Sequence, residues 1–252
     1  MSSPFPLYFP PDARRLFQSE SLVRRVAQLA HWDSKARLVE LFGSLTGMAL
    51  AKSLDCELTV VEPQGRQLDW LKERARAAGV NDFVSFEAAD PLAVSLPQRK
   101  FAGIFSLGRI TGLVGPESKR LRPFLAERGR LGLTAVVKVS RQPVERALTA
   151  WQGRLGAPLP LPREALLAME AEGFEPELVE TVGEGELDEH YQAVEQALSK
   201  LDAAKDDGPV KSAREELALY RELGGRTGVT FAFILGRRKE PGEKPPMSRD
   251  SG

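Results

Sequence analysis

The chain has 252 residues, with 35 Lys plus Arg against 35 Asp plus Glu, 42% hydrophobic and 28% charged residues. That is the make-up of an ordinary globular domain, and a net charge of zero gives no long-range pull toward nucleic acid or an anionic membrane. Cys56 is the only cysteine, so no intrachain disulfide or thiolate metal cluster can form; His31 and His190, far apart in sequence, argue against a protein-built zinc site. No run approaches the roughly 18 apolar residues of a membrane-spanning helix. The first dozen residues lack the basic-then-apolar order of a signal peptide. The expectation is a cytoplasmic protein without a membrane partner.

Four prolines fall in the first dozen residues, which suits a surface wrap. A helical pattern then runs over 12–32, with Leu22, Val23, Val26, Leu29 and Ala30 as its buried stripe and a solvated His31 near its end. A strand at 37–42, a helix at 47–54 and a strand at 57–62 follow. Cys56, just before that second strand, reads as a small buried filler. Leu68, Leu71, Ala75 and Ala78 suit a helix stopped by Gly79. Strands are expected at 84–88 and 101–107, a helix at 119–127, a strand at 130–139, a helix at 163–172 stopped by Gly173, and strands at 177–182 and 229–236. Between the last two lie mostly polar helical residues, 186–223, broken at Asp206–Asp207–Gly208–Pro209 into a helix pair. This insertion suits a cover over the sheet edge where ligands bind in open α/β folds; the alternatives are structural padding or a contact between copies, as in a homodimer. Residues 239–252 are rich in proline and charge and read as a disordered tail. Residues 1–238 thus form a single α/β domain with a mostly parallel sheet and helices on both faces.

The first strand enters the turn Gly43–Ser44–Leu45–Thr46–Gly47. Two glycines allow close approach of a ligand to the backbone, the following helix turns free N–H groups toward it, and Ser44 and Thr46 add hydroxyl donors. Glu62 closes the second strand, 19 residues after Gly43, near the spacing between a glycine turn and a ribose-binding carboxylate. Such a carboxylate accepts both hydrogens of a diol. Asp90 repeats the pattern after the third strand, where it either meets an adenine amino group or caps the chain.

These residues resemble the class I methyltransferases that use S-adenosylmethionine, over about 22–238. The family loop is written acidic–x–G–x–G–x–G. Gly43 and Gly47 match its outer glycines, Leu41 stands at the acid and Leu45 at the middle glycine. Glu40 is next to Leu41, but strand alternation aims it at the opposite face. The resemblance implies a seven-stranded Rossmann-like sheet with an antiparallel last strand. It implies cofactor contacts from Gly43, Ser44, Thr46 and Gly47, from Glu62 and Pro63, from Asp90 and Pro91, and from Ser106, Leu107 and Gly108 beside the methyl acceptor. Ala102 replaces an acid common after Phe101. Arg128–Gly129–Arg130–Leu131 and Gly173–Phe174 resemble the family's approaches to strands five and six.

Methyl transfer demands alignment and desolvation more than protein chemistry, and no constellation identifies a general base. Arg109 is placed to fix an acidic substrate or to face solvent. His190 titrates in a suitable range but reads as an exposed helical residue. Tyr191, Trp151 and Tyr220 suit either an acceptor pocket or helix packing. No Asn-Pro-Pro-Tyr or Asp-Pro-Pro-Tyr follows the fourth strand, which favours a small-molecule acceptor over a nucleic-acid base. A non-catalytic cofactor-binding or scaffolding protein, and an NAD-dependent oxidoreductase, are the alternatives.

Overall fold

The computed structural model describes residues 20–110, 116–140, 143–201 and 208–240. The elements run α1 (Glu20–Ala30), β1 (Arg37–Leu41), α2 (Leu45–Leu54), β2 (Glu57–Glu62), α3 (Arg66–Ala77), β3 (Val84–Ala88), β4 (Phe101–Ile110), a 3-10 helix (Pro116–Phe124), β5 (Leu125–Lys138), α4 (Glu145–Leu155), α5 (Pro162–Ala171), β6 (Phe174–Thr181), α6 (Glu184–Leu198), α7 (Gly208–Glu222) and β7 (Val229–Arg238). One seven-stranded sheet has the order β3-β2-β1-β4-β5-β7-β6. The first five strands pair in parallel, and β7 runs antiparallel to both β5 and β6.

The apolar runs come from burial on both faces of the sheet, as parallel strands require. Leu38, Leu58, Val60, Phe105, Val136, Phe231 and Phe233 belong to one buried cluster. Val39, Leu41, Val61, Ile104, Leu131, Leu133 and Ile234 belong to the other. Gly79 ends the segment after α3 in the left-handed conformation, φ 63°, which a glycine adopts without Cβ strain. Cys56 is buried, as its position implies.

Four elements depart from expectation. Leu29 is 41% exposed, whereas Val26, Ala27 and Ala30 are buried. At about 100° per residue, positions 26, 30 and 27 span one arc and position 29 falls about 60° outside it. The side chains of Leu22 and Val23 lie outside the described residues, as does 12–19. The helix expected over 119–127 stops at Phe124, because Arg99 N and Lys100 N donate to the carbonyls of Pro123 and Phe124, and Leu125 pairs with Phe101 in the sheet. Strand β6 begins at Phe174 rather than 177, carrying Pro176; it is an edge strand, where a missing N–H is tolerated, and the register shifts between Pro176 and Leu178. Helix α4 has no counterpart in the sequence reading. Over 186–223 the described residues form α6 and α7; Gly208 and Pro209 of the expected break open α7, and Asp206 and Asp207 lie outside the described residues. Among the described residues no helix is long and apolar enough to cross a membrane.

Candidate functional site

The loop after β1 is held by a carboxylate. Strand β1 pairs with β2 without a break from Arg37↔Glu57 to Leu41↔Val61, and Phe42 N continues to Val61 O at 2.9 Å. The chain then turns sharply, with Phe42 at φ 60°. Glu40, fully buried, accepts Ser44 N at 3.0 Å and Ser44 Oγ at 2.5 Å. Ser44 Oγ in turn accepts Gly47 N at 3.0 Å and N-caps α2, satisfying one of the free donors of the first turn.

This arrangement corrects the reading of the loop. Alternation does place Glu40 and Leu41 on opposite faces, yet Glu40 reaches the loop with no bulge or register shift, because α2 folds back over its face. The carboxylate that ties the turn is Glu40. It is Phe42, not Leu45, that adopts the left-handed conformation costly for a side chain. Leu45 is an ordinary first residue of α2, 42% exposed.

Gly43 and Gly47 serve packing. Neither has a positive φ. A Cβ on Gly43 would lie 2.4 Å from Val60 Cγ1 and 2.9 Å from Leu71 Cδ1; one on Gly47 would lie 2.1 Å from Glu40 Oε2. Their missing side chains leave room for the strand, for α3 and for the buried carboxylate. Thr46 is half-buried and Leu45 exposed.

Because β3, β2, β1 and β4 are parallel neighbours, their C-terminal ends share one edge, spaced about 4.8 Å apart. That edge brings together Asp90, Glu62, the 42–47 turn and 106–108. Glu62 is 2% exposed and pairs with Ala88, and its carbonyl accepts Ala89 N. Pro63 is exposed and Pro91 buried. Asp90 is exposed, and its Oδ1 accepts Leu92 N at 2.9 Å, a local turn of the capping kind. Ser106 and Leu107 are buried, and the Ser106 carbonyl accepts Thr134 Oγ1. Gly108 continues β4, and the Arg109 side chain lies outside the described residues.

Farther along, α6 and α7 meet α4 and β7 around a narrow crevice of about 10 Å³ lined by Trp151, Tyr191, Glu216, Tyr220 and Phe231 among others. Glu216, 6% exposed, accepts Tyr191 OH through Oε1 at 2.9 Å and Arg154 Nη1 through Oε2 at 2.7 Å. Burial raises the Glu216 pKa, against the lowering by Arg154 and by the Tyr191 hydrogen bond. Burial, then the Glu216 charge, pushes Tyr191 up. Tyr191 stacks on Tyr220 with centroids 3.9 Å apart, and Tyr220 OH donates to Asp188 Oδ1 at 2.6 Å. His190 is 4% exposed, beside Tyr191 and Phe231; the expectation of an exposed histidine fails because the helix pair buries that face against β7. Sequence reasoning missed Glu216 and Arg154, since a Glu and an Arg in polar helices carry no sign that folding will bury them as a pair. Among the described residues no group of three His, Cys, Asp or Glu is arranged to hold a metal ion.

The sheet order and the antiparallel β7 are those of the Rossmann-like fold of class I S-adenosylmethionine-dependent methyltransferases. Solved structures share it. A methyltransferase from Geobacter sulfurreducens, in complex with S-adenosyl-L-homocysteine, superposes with a TM-score of 0.71 at 15% identity, over 92% of this chain and 100% of that one. One from Thiobacillus denitrificans, also with S-adenosyl-L-homocysteine, gives 0.67 at 15% identity, over 88% and 92%. The 4+2 cyclase SpnF gives 0.67 at 21% identity, over 88% and 82%. No protein-family model and no curated protein sequence matches the chain.

Proposed function

We propose that the chain binds S-adenosylmethionine and transfers its methyl group to a small-molecule acceptor. The observation that carries this reading is Glu62, a carboxylate 2% exposed at the C-terminal end of β2, one strand from a turn that Glu40 fixes. A carboxylate at a strand end suits a ribose diol, because its oxygens accept the hydrogens of both hydroxyls. The start of α2 supplies further N–H donors, with Ser44 committed to the cap and Thr46 half-buried beside it. Asp90 and Pro91 would flank the adenine, Pro63 would follow the ribose acid, and 106–108 would border the methionine part. The bound cofactor supplies the reactive methyl group; the protein's share is to orient the acceptor and exclude water.

Phe42 favours a second reading, a protein of this fold that does other chemistry or none. It holds the left-handed backbone conformation of the turn, and the fold also carries a cyclase. Calorimetric titration with S-adenosylmethionine, S-adenosylhomocysteine and NAD separates the readings. Binding of the first two is expected; its absence at millimolar concentration defeats the cofactor assignment, and NAD binding alone points to an oxidoreductase. Glu62→Ala should weaken S-adenosylmethionine at least about tenfold, the loss of one to two charged hydrogen bonds. An unchanged affinity rejects the role of Glu62. A metabolite screen for methyl transfer then separates an enzyme from a binding protein.

A further inference from the structure

We infer that Arg120, on the 3-10 helix, is a positioning residue for the nucleobase: it holds the turn of Asp90 in the form that selects adenine over hypoxanthine. The inference rests on the cofactor assignment and deepens it. The stretch between β3 and β4, 89–100, contains no helix or strand, so no ladder satisfies its carbonyls, and Pro91 and Pro97 bring no N–H of their own. Two of those carbonyls are met by one side chain. Arg120 Nη2 donates to Pro91 O and Nη1 to Val94 O, each at 3.4 Å. Among the described residues Arg120 has no carboxylate partner, and its buried Nε has no hydrogen-bond partner. Its hydrogen bonding is directed wholly at the turn. The planar guanidinium suits this task, since its fork offers donors at a fixed separation.

The turn is also fixed from within. Asp90 Oδ1 accepts Leu92 N and Asp90 O accepts Ala93 N, both at 2.9 Å. Leu121, next to Arg120, is fully buried in the same apolar cluster as Val94 and Leu96, with Leu92 packed against it. Asp90 itself is exposed, and among the described residues its Oδ2 has no donor. One oxygen orients the carboxylate and the other is left for a ligand. An ionised carboxylate only accepts. The 6-amino group of adenine donates to it, whereas the 6-oxo group of hypoxanthine is a second acceptor and is repelled. Hypoxanthine does carry an N–H, at N1, one ring position away. A carboxylate free to shift by that distance takes either base, so selection requires that the turn stay in place. Asp90 supplies the acceptor and Arg120 denies it the shift. The competing account is that Arg120 braces the 3-10 helix without consequence for the ligand.

Calorimetric titration of the full chain with S-adenosylhomocysteine and S-inosylhomocysteine, which differ only in the base, decides between them. Wild type should prefer the adenine compound at least about tenfold, the worth of one charge-assisted hydrogen bond. Arg120→Met keeps an apolar stem and removes the donors; it should reduce the preference to under about threefold. A merely structural loss weakens both compounds alike and leaves their ratio unchanged. Hydrogen exchange on the ligand-free chain gives the second readout. In Arg120→Met the amides of Leu92 and Ala93 should exchange at least about fivefold faster, while that of Ala89, bonded to Glu62 O, stays as it was. If Arg120→Met does not fold, Arg120→Lys decides, since one ammonium does not span both carbonyls; it should keep less than half of the wild-type preference. A wild-type preference under about threefold, a preference unchanged in the folded variant, or unchanged exchange at Leu92 and Ala93 overturns the inference. Wild type that binds neither compound defeats the cofactor assignment, and this inference with it. Wild type that binds S-adenosylhomocysteine with a preference independent of Arg120 defeats the inference alone.

Discussion

Substitution of Glu40 tests whether the turn is built on its carboxylate. Glu40 is fully buried and accepts two bonds from Ser44, at 3.0 Å from N and 2.5 Å from Oγ. Hydrogen bonds to a charged acceptor contribute about 1.5–3 kcal/mol each. Glu40→Gln keeps the shape and one acceptor oxygen but turns an amide donor toward a group that itself donates. The expected loss is one such bond plus part of the other, about 2–3 kcal/mol. For a domain of this size each kcal/mol moves the melting temperature by about 2–4 °C, so the variant should melt roughly 4–12 °C lower. Ser44→Ala should cost about 1–2 kcal/mol through loss of the cap. Because both changes remove the same contact, the double variant should fall short of the sum by at least about 1 kcal/mol. Chemical denaturation of the four proteins gives the coupling directly. Additive losses, within about 0.5 kcal/mol, would refute the claim that Glu40 holds the turn through Ser44.

The remaining tests address strain, reactivity and pH. Phe42 sits at φ 60°, so Phe42→Gly should be more stable than Phe42→Ala by about 1–2 kcal/mol although both lose the ring; an Ala variant as stable as the Gly variant removes the strain argument. Burial first, then Asp33 and Asp55, push the Cys56 thiol up to about 11. Folded protein at pH 8 should therefore react with a thiol reagent at least about 100-fold more slowly than the unfolded chain, and comparable rates would contradict the burial. For Glu216, burial raises the folded-state pKa above the unfolded one, so between the two values the folded chain holds more protons. Stability then falls as pH rises from the ordinary carboxylate range through the raised folded value and levels off above it. The stability of wild type minus that of Glu216→Gln should decline over that window; a difference that stays flat or increases rejects the assignment.

The strands were legible where burial on both faces wrote continuous apolar runs, as in Leu58–Val61, and where Gly79 stopped a periodic helix. Legibility failed where long-range hydrogen bonds decide. Leu125 reads as helix until Arg99 and Lys100 take the carbonyls of Pro123 and Phe124. Helix α4 gives no start signal, because its N-cap is Val144, with no side-chain cap. The site divided in the same way. Glu62 could be read from its place at the end of an apolar strand. The role of Glu40 could not, since it depends on α2 folding over one face of β1. The burial of Glu216 depends on Arg154 from α4, 62 residues away.

This division bears on how far fold constrains chemistry. On the cradle side, Glu40, Gly43 and Gly47 fit against one another and against Val60 and Leu71 so closely that a single Cβ would clash. A part of the fold packed this tightly resists change whatever reaction the protein performs. In the helix pair, α7 is tied to α4 by side-chain bonds, Arg154 to Glu216 and Arg146 to Glu222, and to α6 by Tyr191 OH to Glu216. Replacing those partners alters the charge and shape of the crevice without touching the sheet. A methyltransferase and a cyclase share this architecture, so the architecture does not select the reaction. For this chain the selective information therefore has to come from side chains whose contacts can vary while the sheet order stays fixed.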